Sequence, residues 1–130
     1  MMNILLVEDD RSLAEVILDS LIAWGNEPEW SVTGADALER VKQRNFDLIL
    51  MDTFLPDIQA YELIPQFKKI QPEAGIVTMT NSNSRELELQ VRRQGIIYYM
   101  VKPFSLKIIQ EILQHLTATR YNGKNVRSQG

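Results

Sequence analysis

Ile4-Leu5-Leu6-Val7-Glu8-Asp9-Asp10 is the stretch from which the rest of the chain can be read. Its four aliphatic residues are too few for a membrane span or a signal sequence, and charge follows them at once. They suit a strand covered on both faces, as in a parallel sheet with helices above and below. Three acids then stand at the carboxyl end of that strand.

The pattern repeats along the chain. Short runs at Glu29 to Val32, Asp47 to Met51, Gly75 to Met79 and Ile97 to Val101 have strand length and are mostly rich in Ile, Leu and Val. Between them lie segments of helical periodicity. The first has Leu13, Val16, Ile17, Leu21 and Trp24 on one face, a capping box from Ser12 to Glu15, and Gly25 as its stop. The second runs from Gly34 to Arg44 with Thr33 as cap and Ala37, Leu38 and Val41 as its stripe. A third spans Ala60 to Ile70. A fourth runs from Ser84 to Gln94, with Leu87 and Val91 inward, and a fifth starts at Ser105 with Ile108, Ile109, Ile112, Leu113 and Leu116. Five strand and helix pairs predict a doubly wound α/β fold with a five-stranded parallel sheet. One domain is expected over residues 1–119, and residues 120–130, with a single aliphatic, are expected to be a flexible tail or the start of a linker.

Composition narrows the class. The 130 residues are 45% hydrophobic and 24% charged, which excludes an extended disordered chain. No cysteine is present, so disulfides, thiolate zinc sites and cysteine nucleophiles are excluded and a reducing cytoplasm is expected. A net charge of -3 offers no footprint for direct nucleic-acid binding. No membrane segment is expected.

In such sheets ligands sit beyond the carboxyl ends of the strands. Glu8, Asp9 and Asp10 follow the first run, Asp52 the third, Thr80 the fourth, and Lys102-Pro103 the fifth. Carboxylates crowded together repel one another unless a cation neutralises them, and hard oxygen donors select Mg²⁺ or Ca²⁺. Mg²⁺ beside Asp52 points to phosphoryl chemistry, with Asp52 as nucleophile, Lys102 balancing phosphoryl charge and Thr80 donating a hydrogen bond. Taken singly, each has a plainer reading: acids behind a strand can be a solvated helix start, and a threonine at a strand end is usually structural. Only the joint spacing is specific.

That joint pattern resembles the receiver domain of two-component response regulators from Met1 to Thr119. The resemblance rests on Ile4 to Asp10, on Asp47-Leu48-Ile49-Leu50-Met51-Asp52 followed by Leu55-Pro56, on Thr80, and on Val101-Lys102-Pro103-Phe104. It implies a flavodoxin-like fold with strand order 2-1-3-4-5. It implies Asp52 as phosphoacceptor, Asp9 as a direct Mg²⁺ ligand, Glu8 as a second acidic partner acting through water, and the Phe54 backbone carbonyl as a further ligand, with Asp10 supporting the helix start. Lys102, before a cis proline bond, would contact the phosphoryl group. Thr80 and Tyr99, not Tyr98, would form the switch pair that shifts the surface of the fourth helix, fifth strand and fifth helix. The donor would be a sensor histidine kinase or a histidine phosphotransfer protein, and the target a separate protein or a fused output domain. Such a domain is no turnover enzyme; it promotes only its own phosphorylation and dephosphorylation.

The sequence departs from the family pattern at several points. Gln59-Ala60 stands where glycine is usual, Asn81 where a small residue is common, and Gly95-Ile96 in place of Gly-Ala. Ile96-Ile97-Tyr98 lacks the acidic residues of subfamilies that dimerise to bind DNA. The bulk of Phe54 implies slow dephosphorylation. A haloacid-dehalogenase-type phosphatase would need an aspartate where Phe54 stands. A flavin or nucleotide site would not place Glu8-Asp9-Asp10 against a phosphate. The remaining alternative is a receiver-like docking module that is never phosphorylated.

Overall fold

A computed structural model of the protein describes residues 1–82 and 84–129, without the side chains of residues 120–129. Five strands, β1 (Asn3–Val7), β2 (Glu27–Ser31), β3 (Leu48–Asp52), β4 (Gly75–Thr80) and β5 (Tyr98–Val101), form one sheet in the order β2-β1-β3-β4-β5. All four pairings are parallel. The helices between and after them are α1 (Arg11–Ala23), α2 (Gly34–Gln43), α3 (Ala60–Ile70), α4 (Arg85–Arg92) and α5 (Leu106–Gln129).

Why the central runs lack polar residues is visible in the pleat. Leu5, Val7, Ile49, Met51 and Ile76 enter one core, with α2, α3 and α4, while Ile4, Leu6, Leu48, Leu50, Val77 and Met79 enter the other, with α1 and α5. Successive side chains point to opposite faces and both faces are buried, so every position from Ile4 in β1 and from Leu48 in β3 must be apolar until the strand end. The first acid on β3, Asp52, appears there.

Several predicted boundaries move. Strand β2 starts at Glu27 rather than Glu29 and ends at Ser31; as an edge strand it tolerates Pro28 and alternates polar residues, which hid its start. Strand β3 runs from Leu48 to Asp52, one residue later than expected, and β5 starts at Tyr98 instead of Ile97. The cap of α1 is Asp10, whose carboxylate accepts from the Leu13 N–H at 3.2 Å, and not Ser12; Glu15 instead pairs with Arg11 at 3.0 Å. Its buried stripe is Ala14, Ile17 and Leu21, with Val16 facing solvent. Thr33 and Ser84 cap α2 and α4 as expected, although α4 ends at Arg92, short of Gln94. The α5 stripe is buried or half-buried against the core as predicted. The backbone of α5 runs from Leu106 to Gln129, through residues that contain no proline.

The loop after β3, where glycine was missed, needs none. Gln59 has φ −88 as the cap residue of α3, and the Ala60 N–H donates to the Thr53 carbonyl at 2.9 Å. The loop is instead fastened to α2. Both carboxylate oxygens of Asp57 accept backbone N–H groups at its start, from Gly34 at 2.8 Å and Ala35 at 2.9 Å. Gly34 makes this approach possible, because a Cβ there would lie 2.2 Å from Ile58 Cγ2. Burial would raise the Asp57 carboxyl, but the two helix N–H groups outweigh it and hold its pKa below the usual range. Asp57→Ala, which leaves both N–H groups without this acceptor, is expected to cost about 1–2 kcal/mol in urea unfolding, whereas Asp57→Asn retains part of it.

Candidate functional site

The sheet order brings β1 and β3 together at its centre, so the residues that end these strands are neighbours. Glu8 is fully buried, Asp52 is buried and Asp9 is exposed, and one carboxylate oxygen from each lies within 4.8 Å of the others. From the turn after β5, Lys102 reaches both buried acids, with its Nζ 2.6 Å from Glu8 Oε1 and 2.5 Å from Asp52 Oδ2. Lys102–Pro103 is the cis bond. The remaining oxygens are also engaged: Asp10 N–H donates to Glu8 Oε2 at 3.2 Å and Phe54 N–H to Asp52 Oδ1 at 3.0 Å. Asp10 thus caps α1 and also steadies Glu8.

Two acids and one ammonium leave the buried group with one unbalanced negative charge, and Asp9 adds another at its mouth. Burial is the main reason the Glu8 carboxyl is pushed up to about 7; the nearby Asp52 adds to this, and the hydrogen bond from Lys102 opposes it. Burial would lower the Lys102 ammonium, but its hydrogen bonds and charge contacts with Asp52 and Glu8 outweigh this and raise it, so lysine stays charged. Three carboxylates from two adjacent strand ends supply the hard oxygen donors that a small divalent cation takes. Phe54 adds a backbone carbonyl at the same loop. The bridge between Phe54 and Gln59 closes through Leu55 N–H to the Ile58 carbonyl and Ala60 N–H to the Thr53 carbonyl, and so does not use it. This donor set fits Mg²⁺.

Thr80 ends β4, next to the Asp52 strand end, and is fully buried. Its hydroxyl accepts from the Ser82 N–H at 3.0 Å and donates to the Ser82 carbonyl at 3.2 Å. Tyr99 donates to that same carbonyl at 3.3 Å. Tyr99 is 6% exposed and Tyr98 42%. Arg92 of α4 stacks over the Tyr99 ring, 5.9 Å from its centroid. Glu8, Asp9, Asp52, Thr80 and Lys102 are therefore at this edge of the sheet, with Phe54 on the loop beside it and the Tyr99 hydroxyl reaching toward it from within β5. Sequence reading missed Trp30, whose indole N–H donates to the Glu8 carbonyl at 2.8 Å. It also missed Asp57. A lone indole in an edge strand gives no pattern to find it by.

The Glu8 value sets a pH dependence. With a carboxyl near 7 when folded and 4.5 when unfolded, the folded state binds this proton more tightly. The stability it contributes is complete below 4.5 and is lost as pH rises through about 7. In the presence of a chelator, the melting temperature of the native protein should fall by a few degrees relative to Glu8→Gln between pH 5.5 and 8. A constant difference between the two across that range would contradict the assignment.

Comparison with known proteins agrees with this geometry. The family model described as the response regulator receiver domain matches residues 4–114. The transcriptional regulatory protein ZraR of Salmonella typhimurium is 30% identical over 97% of this chain, which covers 29% of ZraR. The DNA-binding transcriptional regulator NtrC of Azospirillum brasilense is 30% identical over 86% of the chain, 23% of its own length. The chain thus spans under a third of these curated relatives. A CheY-like response regulator receiver domain from Methanospirillum hungatei superposes with a TM-score of 0.87 at 25% identity, covering 94% of this chain and 98% of that one. No described helix is long and apolar enough to cross a membrane. With the acidic cluster at the ends of β1 and β3 and the family match over most of its length, this chain belongs to the response regulator receiver domains of two-component systems.

Proposed function

We propose that the domain accepts a phosphoryl group on Asp52 from the phosphohistidine of a sensor histidine kinase or histidine phosphotransfer protein in the cytoplasm. The observation that carries this reading is the Lys102 ammonium held between buried Asp52 and buried Glu8, with Asp9 alongside. A carboxylate oxygen of Asp52 attacks phosphorus, and the bond from phosphorus to the imidazole nitrogen breaks. Its electron pair stays on that nitrogen, which then takes a proton. Asp9, Asp52 and the Phe54 carbonyl, with Glu8 as second acidic partner, would hold Mg²⁺, which offsets the charge of the phosphoryl oxygens. Lys102 already touches Asp52 and can follow the transferred group, pairing with one oxygen as the charge on Asp52 passes to it.

Thr80 couples this site to the surface. Its hydroxyl and that of Tyr99 share the Ser82 carbonyl, so a Thr80 hydroxyl recruited by the phosphoryl group deprives that carbonyl of one of its two hydroxyl donors. The response is a population shift of the α4, β5 and α5 surface, where Leu89, Tyr98 and Val101 are exposed. That surface addresses a downstream protein or a fused output domain, with residues 120–130 as the start of the linker. The domain promotes only its own phosphorylation and hydrolysis, and the half-exposed Phe54 ring shields the acceptor from water.

Intact-mass spectrometry after incubation with a small phosphodonor tests this. A single adduct is expected with Mg²⁺, none with a chelator and none in Asp52→Asn; the native adduct should decay more slowly than that of Phe54→Asn. No adduct on the native chain would favour a docking module that works without phosphorylation.

A further inference from the structure

We propose that Trp30 is a positioning residue for the cation site, acting through the Glu8 main chain. The inference rests on the reading of that site given above. Strands β1 and β2 run in register from Asn3 opposite Glu27 to Val7 opposite Ser31, and the Glu8 N–H still finds the Ser31 carbonyl at 3.0 Å. The next bond of a parallel ladder would be donated by the Thr33 N–H to the Glu8 carbonyl. Thr33 has by then left the sheet to cap α2. The Trp30 indole takes that place, donating to the Glu8 carbonyl at 2.8 Å.

The consequence falls on the turn that carries the acids. Glu8, Asp9 and Asp10 occupy three successive positions between β1 and α1, and only Asp10 is tied forward, as the cap of α1. At the rear the turn is held by two bonds to Glu8, one from the β2 backbone and one from the Trp30 side chain. Lys102 and the Asp10 N–H hold the Glu8 carboxylate, but the main chain that carries it and leads to Asp9 is held in part by a donor with no carboxylate and no contact with the reacting atoms. An indole N–H is donor-only and, half-buried, keeps its place only while that acceptor is present. Trp30→Phe keeps an aromatic ring against the α1 side of the core and removes the donor alone.

The test is a calorimetric titration with Mg²⁺ alone on the native protein and Trp30→Phe, beside the rate of adduct formation as a function of Mg²⁺. The dissociation constant for Mg²⁺ should rise about tenfold in the variant, as for other residues that orient metal ligands without touching the metal. Its adduct rate at saturating Mg²⁺ should stay within about twofold of native, since an orienting partner is lost and no reacting group is. An unchanged Mg²⁺ constant overturns the proposal while leaving the phosphoacceptor reading intact. A native protein that takes up no Mg²⁺ overturns both. Should Trp30→Phe fail to fold, Trp24→Phe supplies the reading, because Trp30 is then the only tryptophan of the two. Its emission must change with Mg²⁺ at the calorimetric midpoint, and emission indifferent to Mg²⁺ overturns the proposal.

Discussion

Glu8 and Asp52 sit side by side out of solvent, and the rest of the molecule is arranged around that cost. Two carboxylates in such a position repel each other and are poorly solvated, so at neutral pH they need a positive partner. Lys102 supplies one charge, at 2.6 and 2.5 Å. It cannot supply two. The raised Glu8 carboxyl is the local sign of that deficit, and a divalent cation is the natural remedy. The proposed chemistry draws on that same cost, because the carboxylates and the lysine are held together before any substrate arrives.

The sheet puts them there. Placing β1 and β3 at the centre brings two acidic strand ends together, and adding β4 and then β5 brings Thr80 and Lys102 to the same edge. The two apolar faces of the strands fix their register, since a slip of one residue would turn a polar strand end into the core. The loops are pinned by bonds of a different kind. Asp57 locks the loop after β3 to α2, and Trp30 locks the turn after β1 to β2. Buried Gln71 joins the ends of α2 and α3, donating to the Val41 and Arg44 carbonyls and accepting from the Phe46 N–H. The acidic turns are thus tied to neighbouring elements, while the Thr80 and Tyr99 hydroxyls meet on one carbonyl, that of Ser82.

How much of this could be read from the sequence follows from the range of the interactions. The central strands and the acids at their ends were legible because burial on two faces leaves an unbroken apolar run, and the first acid after it must lie at the edge. Strand β2 was misplaced because an edge strand carries no such run. A capping box is a local pattern that points to Ser12, whereas the cap is Asp10, two residues earlier, whose carboxylate accepts the Leu13 N–H. Trp30 and Asp57 act across 22 and 23 residues of chain, where no spacing rule operates. The glycine expected in the loop after Asp52 proved unnecessary because the backbone there stays at ordinary φ.

The most direct test of the claim that buried charge awaits a cation is the melting temperature of the native protein as a function of Mg²⁺ concentration at pH 8. A ligand that binds only the folded state must raise stability with the logarithm of its concentration once the dissociation constant is passed. The account predicts such a rise for the native protein, with Asp9→Asn displaced to higher Mg²⁺. A melting temperature that ignores Mg²⁺ would show that Lys102 alone balances the acids, and would contradict it.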